Sequence, residues 1–171
     1  MGWFSKKKNK EQEDIDINSI LELTDQTEAE MKIDDYLNRK SSFGDNMEKL
    51  TTPEKNFLFV ENLLREVNNG GFNQWFFNSS GDHAHETLIA LKNIGAIKMA
   101  DIVEKAISFW PGAKVPKDEL ARRDILEEIS DTADPEWNKL DNMFYSGKDD
   151  LDDYQELLLG YVRKNKENFE T

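Results

Sequence analysis

Two stretches of this chain place chemically useful side chains close together. The first is Asp82-His83-Ala84-His85-Glu86, whose imidazoles and carboxylates are both zinc ligands. On a helix His83 and His85 lie about 200° apart around the axis and cannot face one ion, whereas His83 and Glu86 can. The chain has two histidines and no cysteine, so no further histidine or thiolate exists to complete such a site. A metal-binding protein or metal-dependent enzyme built on His83, His85 and Glu86 is therefore the alternative reading, with exposed histidines and a helix-start role for Asp82 as its bland counterpart.

The second stretch runs from Asp124 to Glu156 and holds twelve acids (Asp124, Glu127, Glu128, Asp131, Asp134, Glu136, Asp141, Asp149, Asp150, Asp152, Asp153 and Glu156) against Lys139 and Lys148. Residues at i, i+3 and i+4 on a helix stand about 5–6 Å apart, the same order as the phosphate spacing of nucleic acid. Such a face can present a phosphate-like row to a basic protein. Like charges so placed also weaken the helix by about 0.2–0.5 kcal/mol per pair. The competing explanation is a solvated face plus acids favoured at helix N-termini, as Asp149 to Asp153 would be. A third, weaker pattern is calcium-like: Asp14, Asp16 and Asn18 alternate and Asp25 follows, but Ser19 stands where the loop needs glycine and Asp25 where it needs glutamate.

The elements that must position these residues read as helices throughout. Thr27 to Leu37 predicts a helix with Met31, Ile33 and Leu37 as its apolar members, and Ser41 to Thr51 a connector. Thr52-Pro53 predicts an N-cap followed by proline at the first helical position, and Phe57, Val60, Leu64 and Val67 form the buried stripe of the helix that follows. Asn69-Gly70-Gly71 predicts its end. Phe72, Trp75, Phe76 and Phe77 predict a short helical segment laid into the core, and Ser79 with Asp82 has the form of a capping box. A helix to Gly95 and another from Ala96 to Trp110 follow. Asp118 to Asp131 predicts a helix with Ile125, Leu126 and Ile129 on one side and Asp124, Glu127, Glu128 and Asp131 on the other. Asp134-Pro135 predicts a fresh start, leading a helix with Trp137, Leu140 and Phe144 inward, and Asp149-Asp150 opens the last helix. No stretch alternates like a strand, so the expectation is a single compact all-α domain over residues 19–171, preceded by a mobile charged tail over 1–18.

With 171 residues one core is expected, and the net charge of −13 opposes direct binding to nucleic acid, which requires a basic face. A charged partner of this protein is itself basic. The absence of cysteine suits a reducing cytoplasm, and no apolar run approaches the roughly 20 residues a membrane span needs. Lys6 stands where an N-myristoylated start needs serine or threonine, so the first residues read as a frayed basic tail.

Gly70-Gly71-Phe72, Gln74, Phe76-Phe77-Asn78-Ser79-Ser80-Gly81-Asp82, Ala90-Leu91 and Ile94-Gly95-Ala96 resemble the bacterial DNA-mimic protein family, over about residues 50–161. The resemblance implies a mostly helical, intracellular acidic protein. It further implies occupation of the DNA-binding face of a basic protein, such as a regulator or nuclease, by carboxylates standing in for phosphates. The matching residues themselves read as turns, a cap and core aromatics. From these readings the expected function is a non-enzymatic acidic binding protein without cofactor, and the expected partner surface is Asp124, Glu127, Glu128, Asp131, Asp149, Asp150, Asp152, Asp153 and Glu156.

Overall fold

A computed structural model describes residues 16–146 and 151–170. Among them are seven α-helices, short 3-10 turns and no strand: α1 (Ile17–Leu21), α2 (Gln26–Lys40), α3 (Thr52–Phe77), α4 (Ala84–Ile94), α5 (Ile97–Ile107), α6 (Glu119–Tyr145) and α7 (Tyr154–Lys164). The all-α expectation holds. Helix α3 is the axis of the fold, packing against α2, α4, α6 and α7. Its buried stripe is the expected one, Phe57, Val60, Leu64 and Val67 widened by Leu58, Phe59 and Leu63.

Local chemistry explains where the chain departs from its sequence pattern. The cap of α3 is Thr51 rather than Thr52. Thr51 Oγ1 accepts from the Glu54 N–H and Glu54 Oε2 accepts from the Thr51 N–H, a reciprocal box that Thr52 has no partner to make. Glu54 is fully buried, and Lys40 at 2.7 Å neutralises it. At Gly70-Gly71 the helix does break, but only for a kink, after which Phe72 to Phe77 continue helical. Gly71 has φ +74°, and a Cβ there would lie 2.3 Å from Asp141 Oδ2. Asp141 comes this close because its Oδ1 accepts from the Phe72 N–H at 2.9 Å, capping the second half of α3 from another helix. Burial pushes the Asp141 carboxyl above its usual range, Asp134 adds to this, and the Phe72 N–H opposes it.

Asp134-Pro135 does not start a new helix. Helix α6 runs through Pro135 without interruption, so the two helices expected there are one. An interior proline costs roughly 3 kcal/mol, through a lost hydrogen bond and a clash one turn back. Here Ala133, Trp137 and Leu140 are buried on either side of it, Trp137 Nε1 donates to the Ala106 carbonyl at 3.0 Å, and Asp134 accepts from Asn73 at 2.7 Å. Tertiary packing outweighs the local stop signal.

At the other end, the expected tail boundary at residue 18 falls inside α1. Ile17 is buried in the core, and Asp16 caps the helix through the Asn18 and Ser19 amides. Residues 1–15 lie outside the described residues. Asp25 likewise caps α2, through Thr27 and Glu28, so neither carboxylate is left for a calcium loop. Met31, one of the three expected apolar members of this helix, is 66% exposed, because Ala29, Ile33, Tyr36 and Leu37 supply the buried side of α2.

Between α2, α3 and α7 sits a group of acids. Burial pushes Glu61 up to about 9, with a hydrogen bond and charge repulsion from Glu30 and the charge of Asp34 adding and Arg65 opposing, so at neutral pH Glu61 holds its proton. Gln155 on α7 donates to Glu30 Oε2 at 2.6 Å, tying the third helix to the pair.

Candidate protein-interaction surface

The surface is organised by α6, whose first four turns hold Arg122 inside the protein and Asp124, Glu127, Glu128 and Asp131 outside it, following an exposed Glu119 that pairs with Arg123 at 2.7 Å. Asp118 caps the helix by accepting from the Ala121 N–H at 2.9 Å. One turn on, Arg122 is completely buried. Its Nε donates to the Phe76 carbonyl at 2.7 Å, Nη1 to the carbonyls of Pro116 (3.0 Å) and Lys117 (3.1 Å), and Nη2 to that of Asn78 at 3.0 Å, with Asp82 Oδ1 2.6 Å away as counter-ion. The guanidinium thus satisfies carbonyls left over at the end of α3 and ties them to the loop before α6.

This corrects the reading of Ser79 and Asp82. They form no capping box; residues 79–83 make a 3-10 turn without a side-chain cap, and Asp82 is turned toward Arg122. A charge buried as completely as Arg122 requires a counter-charge, which outranks a cap. Gly81 is required by the same arrangement, since a Cβ there would stand 2.7 Å from the Phe76 carbonyl and 2.9 Å from Arg122 Nε. Phe72, Trp75 and Phe76 are fully buried as core, while Phe77 lies at the surface under Arg123, whose guanidinium stacks 4.0 Å from the ring centroid.

Around this anchor the acids divide. Asp124, Glu127, Glu128 and Asp131 are all exposed, and among the described residues none of their carboxylates has an ion-pair or hydrogen-bond partner. At 3.6 residues per turn they fall within about 100° of one face. The downstream acids are engaged. Asp134 binds Asn73, Asp141 caps the second half of α3, and Glu136 pairs with Lys139 at 2.6 Å. Asp152 accepts from the amides of Lys98 (2.7 Å) and Met99 (3.2 Å), supplying the cap that α5 lacks in its own sequence. Asp153 caps α7 through the Glu156 N–H, and Glu156 is exposed on the first turn of that helix. Asp149 and Asp150 lie outside the described residues.

The histidines do not converge. His85 Nε2 accepts from the Val115 N–H at 3.1 Å, pinning the loop that leads to α6. His83 lies against Phe59, ring centroids 4.7 Å apart, and burial holds its pKa below the usual histidine value against the pull of Glu86 and Asp82. Glu86 pairs with Lys117; burial raises its carboxyl, but the Lys117 interactions prevail and hold it below the ordinary value. Among the described residues no group of three or more histidine, aspartate or glutamate side chains is placed to hold a metal ion. No helix there is long and apolar enough to cross a membrane.

Sequence reasoning passed over Arg122, Glu54 and the capping roles of Asp141 and Asp152. Each acts on a partner distant in the chain, and only the unsatisfied carbonyls implied by the break at Asn78 hinted that a donor had to arrive from elsewhere.

These features define an all-helical domain, acidic in composition, whose motif residues build its interior and whose unpartnered carboxylates line one outer helix. The chain belongs to the DMP19-like family: the model described as DMP19-like protein matches residues 48–165, close to the span over which the sequence resembles the DNA-mimic proteins. Comparison with curated proteins and with solved structures found no match.

Proposed function

We propose that this protein is a non-enzymatic DNA mimic of the cytoplasm, presenting Asp124, Glu127, Glu128 and Asp131 to the DNA-binding face of a basic protein such as a regulator or nuclease. The observation that carries the reading is that these four carboxylates stand on one face of α6 with no partner of their own, while every other described acid of the expected row except Glu156 is bound to the fold. Their placement also suits the task. From Asp124 to Asp131 the helix rises about 10.5 Å, so the four charges average about one per 3.5 Å, against about 3.4 Å per phosphate along one strand of duplex DNA. Family membership supports the same reading. Glu156 is an exposed carboxylate on α7, beside Asn93 and Ile94 rather than in the α6 row, whereas Asp152 and Asp153 are taken up as caps.

Steering by the net charge makes association fast and salt-sensitive. The test is a pull-down from lysate of the source cell at low and high salt, using the wild type and a variant with Asp124, Glu127, Glu128 and Asp131 changed to Asn or Gln. The expected result is one basic DNA-binding protein held at low salt, released at high salt and not captured by the variant. Equal capture by both proteins refutes the reading.

A further inference from the structure

Beside the turn that carries His83, on the side of α3 and α4, the structure has a cleft of about 340 Å³. Most of its exposed lining is apolar, with Met47, Phe59 and Ile89 contributing, and Lys55, Asn56 and Lys117 line it as well. Lys55 is half-buried and, among the described residues, its ammonium has neither a carboxylate partner nor a hydrogen bond. Lys117 is held by Glu86, whose second oxygen is buried and has no hydrogen-bond partner among the described residues. At His83, packed on Phe59, burial favours the neutral imidazole.

A mostly apolar pocket with a few convergent polar groups, placed where titratable residues are perturbed, is the common form of a small-molecule site. We infer that this cleft binds a small amphipathic monoanion, a carboxylate with a short apolar body, with Lys55 meeting the charge and Phe59, Ile89 and Met47 covering the body. The size sets the upper limit, since 340 Å³ lies at the low end for ligand pockets. With Lys117 balanced by Glu86, the charge of Lys55 leaves the lining net positive and favours an anion over a cation, and the apolar wall favours an anion with an apolar body over a bare inorganic one. This site is separate from the acidic row on α6 and stands or falls independently of the mimic reading.

The test is an amide NMR titration of the full chain with three probes: hexanoate, its neutral counterpart hexanamide, and acetate, which has the charge without the body. Expected are saturable shifts at Lys55, Asn56, His83 and Glu86 with hexanoate in the millimolar range, and much weaker ones with the other two. Lys55→Gln, a change near the surface that leaves the core untouched, is expected to weaken hexanoate about tenfold or more, the size of one lost charge-assisted hydrogen bond. Four results overturn the inference: hexanamide binding as well as hexanoate, acetate binding as well, an unchanged affinity in Lys55→Gln, or no saturable shift with any probe.

Discussion

Arg122 and Asp124 are two residues apart on α6, yet one is enclosed by four carbonyl contacts and a counter-ion while the other stands in water with no partner. The same contrast separates the acids of this region from one another. Asp82, Asp141 and Asp152 each hold a charge or an amide that would otherwise be left unmatched, whereas Asp124, Glu127, Glu128 and Asp131 do nothing for the fold that the geometry records. The lesson is that negative charge here has two uses, and count alone does not tell them apart. A row of acids reads as a binding surface only after the caps and counter-ions have been removed from it.

The largest effect that sharpens this comparison is expected from Arg122→Ala. It strands Asp82 and frees carbonyls inside the protein, and should cost about 3–5 kcal/mol in a denaturant titration. A loss below about 1 kcal/mol would place Arg122 with the surface charges instead.

Glu61 is the next test, because it is an acid whose cost to the fold depends on pH. The unfolded side chain releases its proton near 4.5 and the folded one near 9, so between those values the folded state binds more protons and stability falls as pH rises. Glu61→Gln mimics the protonated form, and should flatten that slope and gain about 1–3 kcal/mol at pH 7.5. An unchanged pH profile of unfolding would contradict the protonated, buried Glu61.

Asp152→Ala removes the cap of α5 and is expected to cost about 1 kcal/mol by thermal or chemical unfolding. The α6 row differs in sign rather than size. Neutralising Asp124, Glu127, Glu128 and Asp131 together should leave stability intact or raise it by about 1 kcal/mol, since the four acids form four like-charge pairs at i+3 and i+4, each worth about 0.2–0.5 kcal/mol before screening by salt. A clear destabilisation would mean that these acids serve the fold after all.

How much of this was legible in the sequence follows from the range of the interactions. The apolar stripe of α3, the glycine break at Gly70-Gly71, the aromatic segment sunk into the core and the outward row on α6 all rest on local spacing, and all were readable. The continuation of α6 through Pro135 was not, because local propensity argues for a stop and only the packing of Ala133 and Trp137 overrides it. Asp82 followed the pattern of a cap and became a counter-ion, because its partner Arg122 lies 40 residues away in a helix start with no unusual pattern. The twelve-acid cluster was visible as a cluster, but its division into caps and free charges depends on amides of α3 and α5 that no spacing rule brings near.

The measurement closest to the central claim is a competition on the basic protein that the wild type captures: duplex DNA bearing its binding site against this protein, over a range of salt. DNA is expected to displace the protein, both interactions to weaken with salt, and the variant neutralised at Asp124, Glu127, Glu128 and Asp131 to compete no longer although it is folded. Simultaneous binding of DNA and this protein, or undiminished competition by the neutralised variant, would contradict the mimic reading.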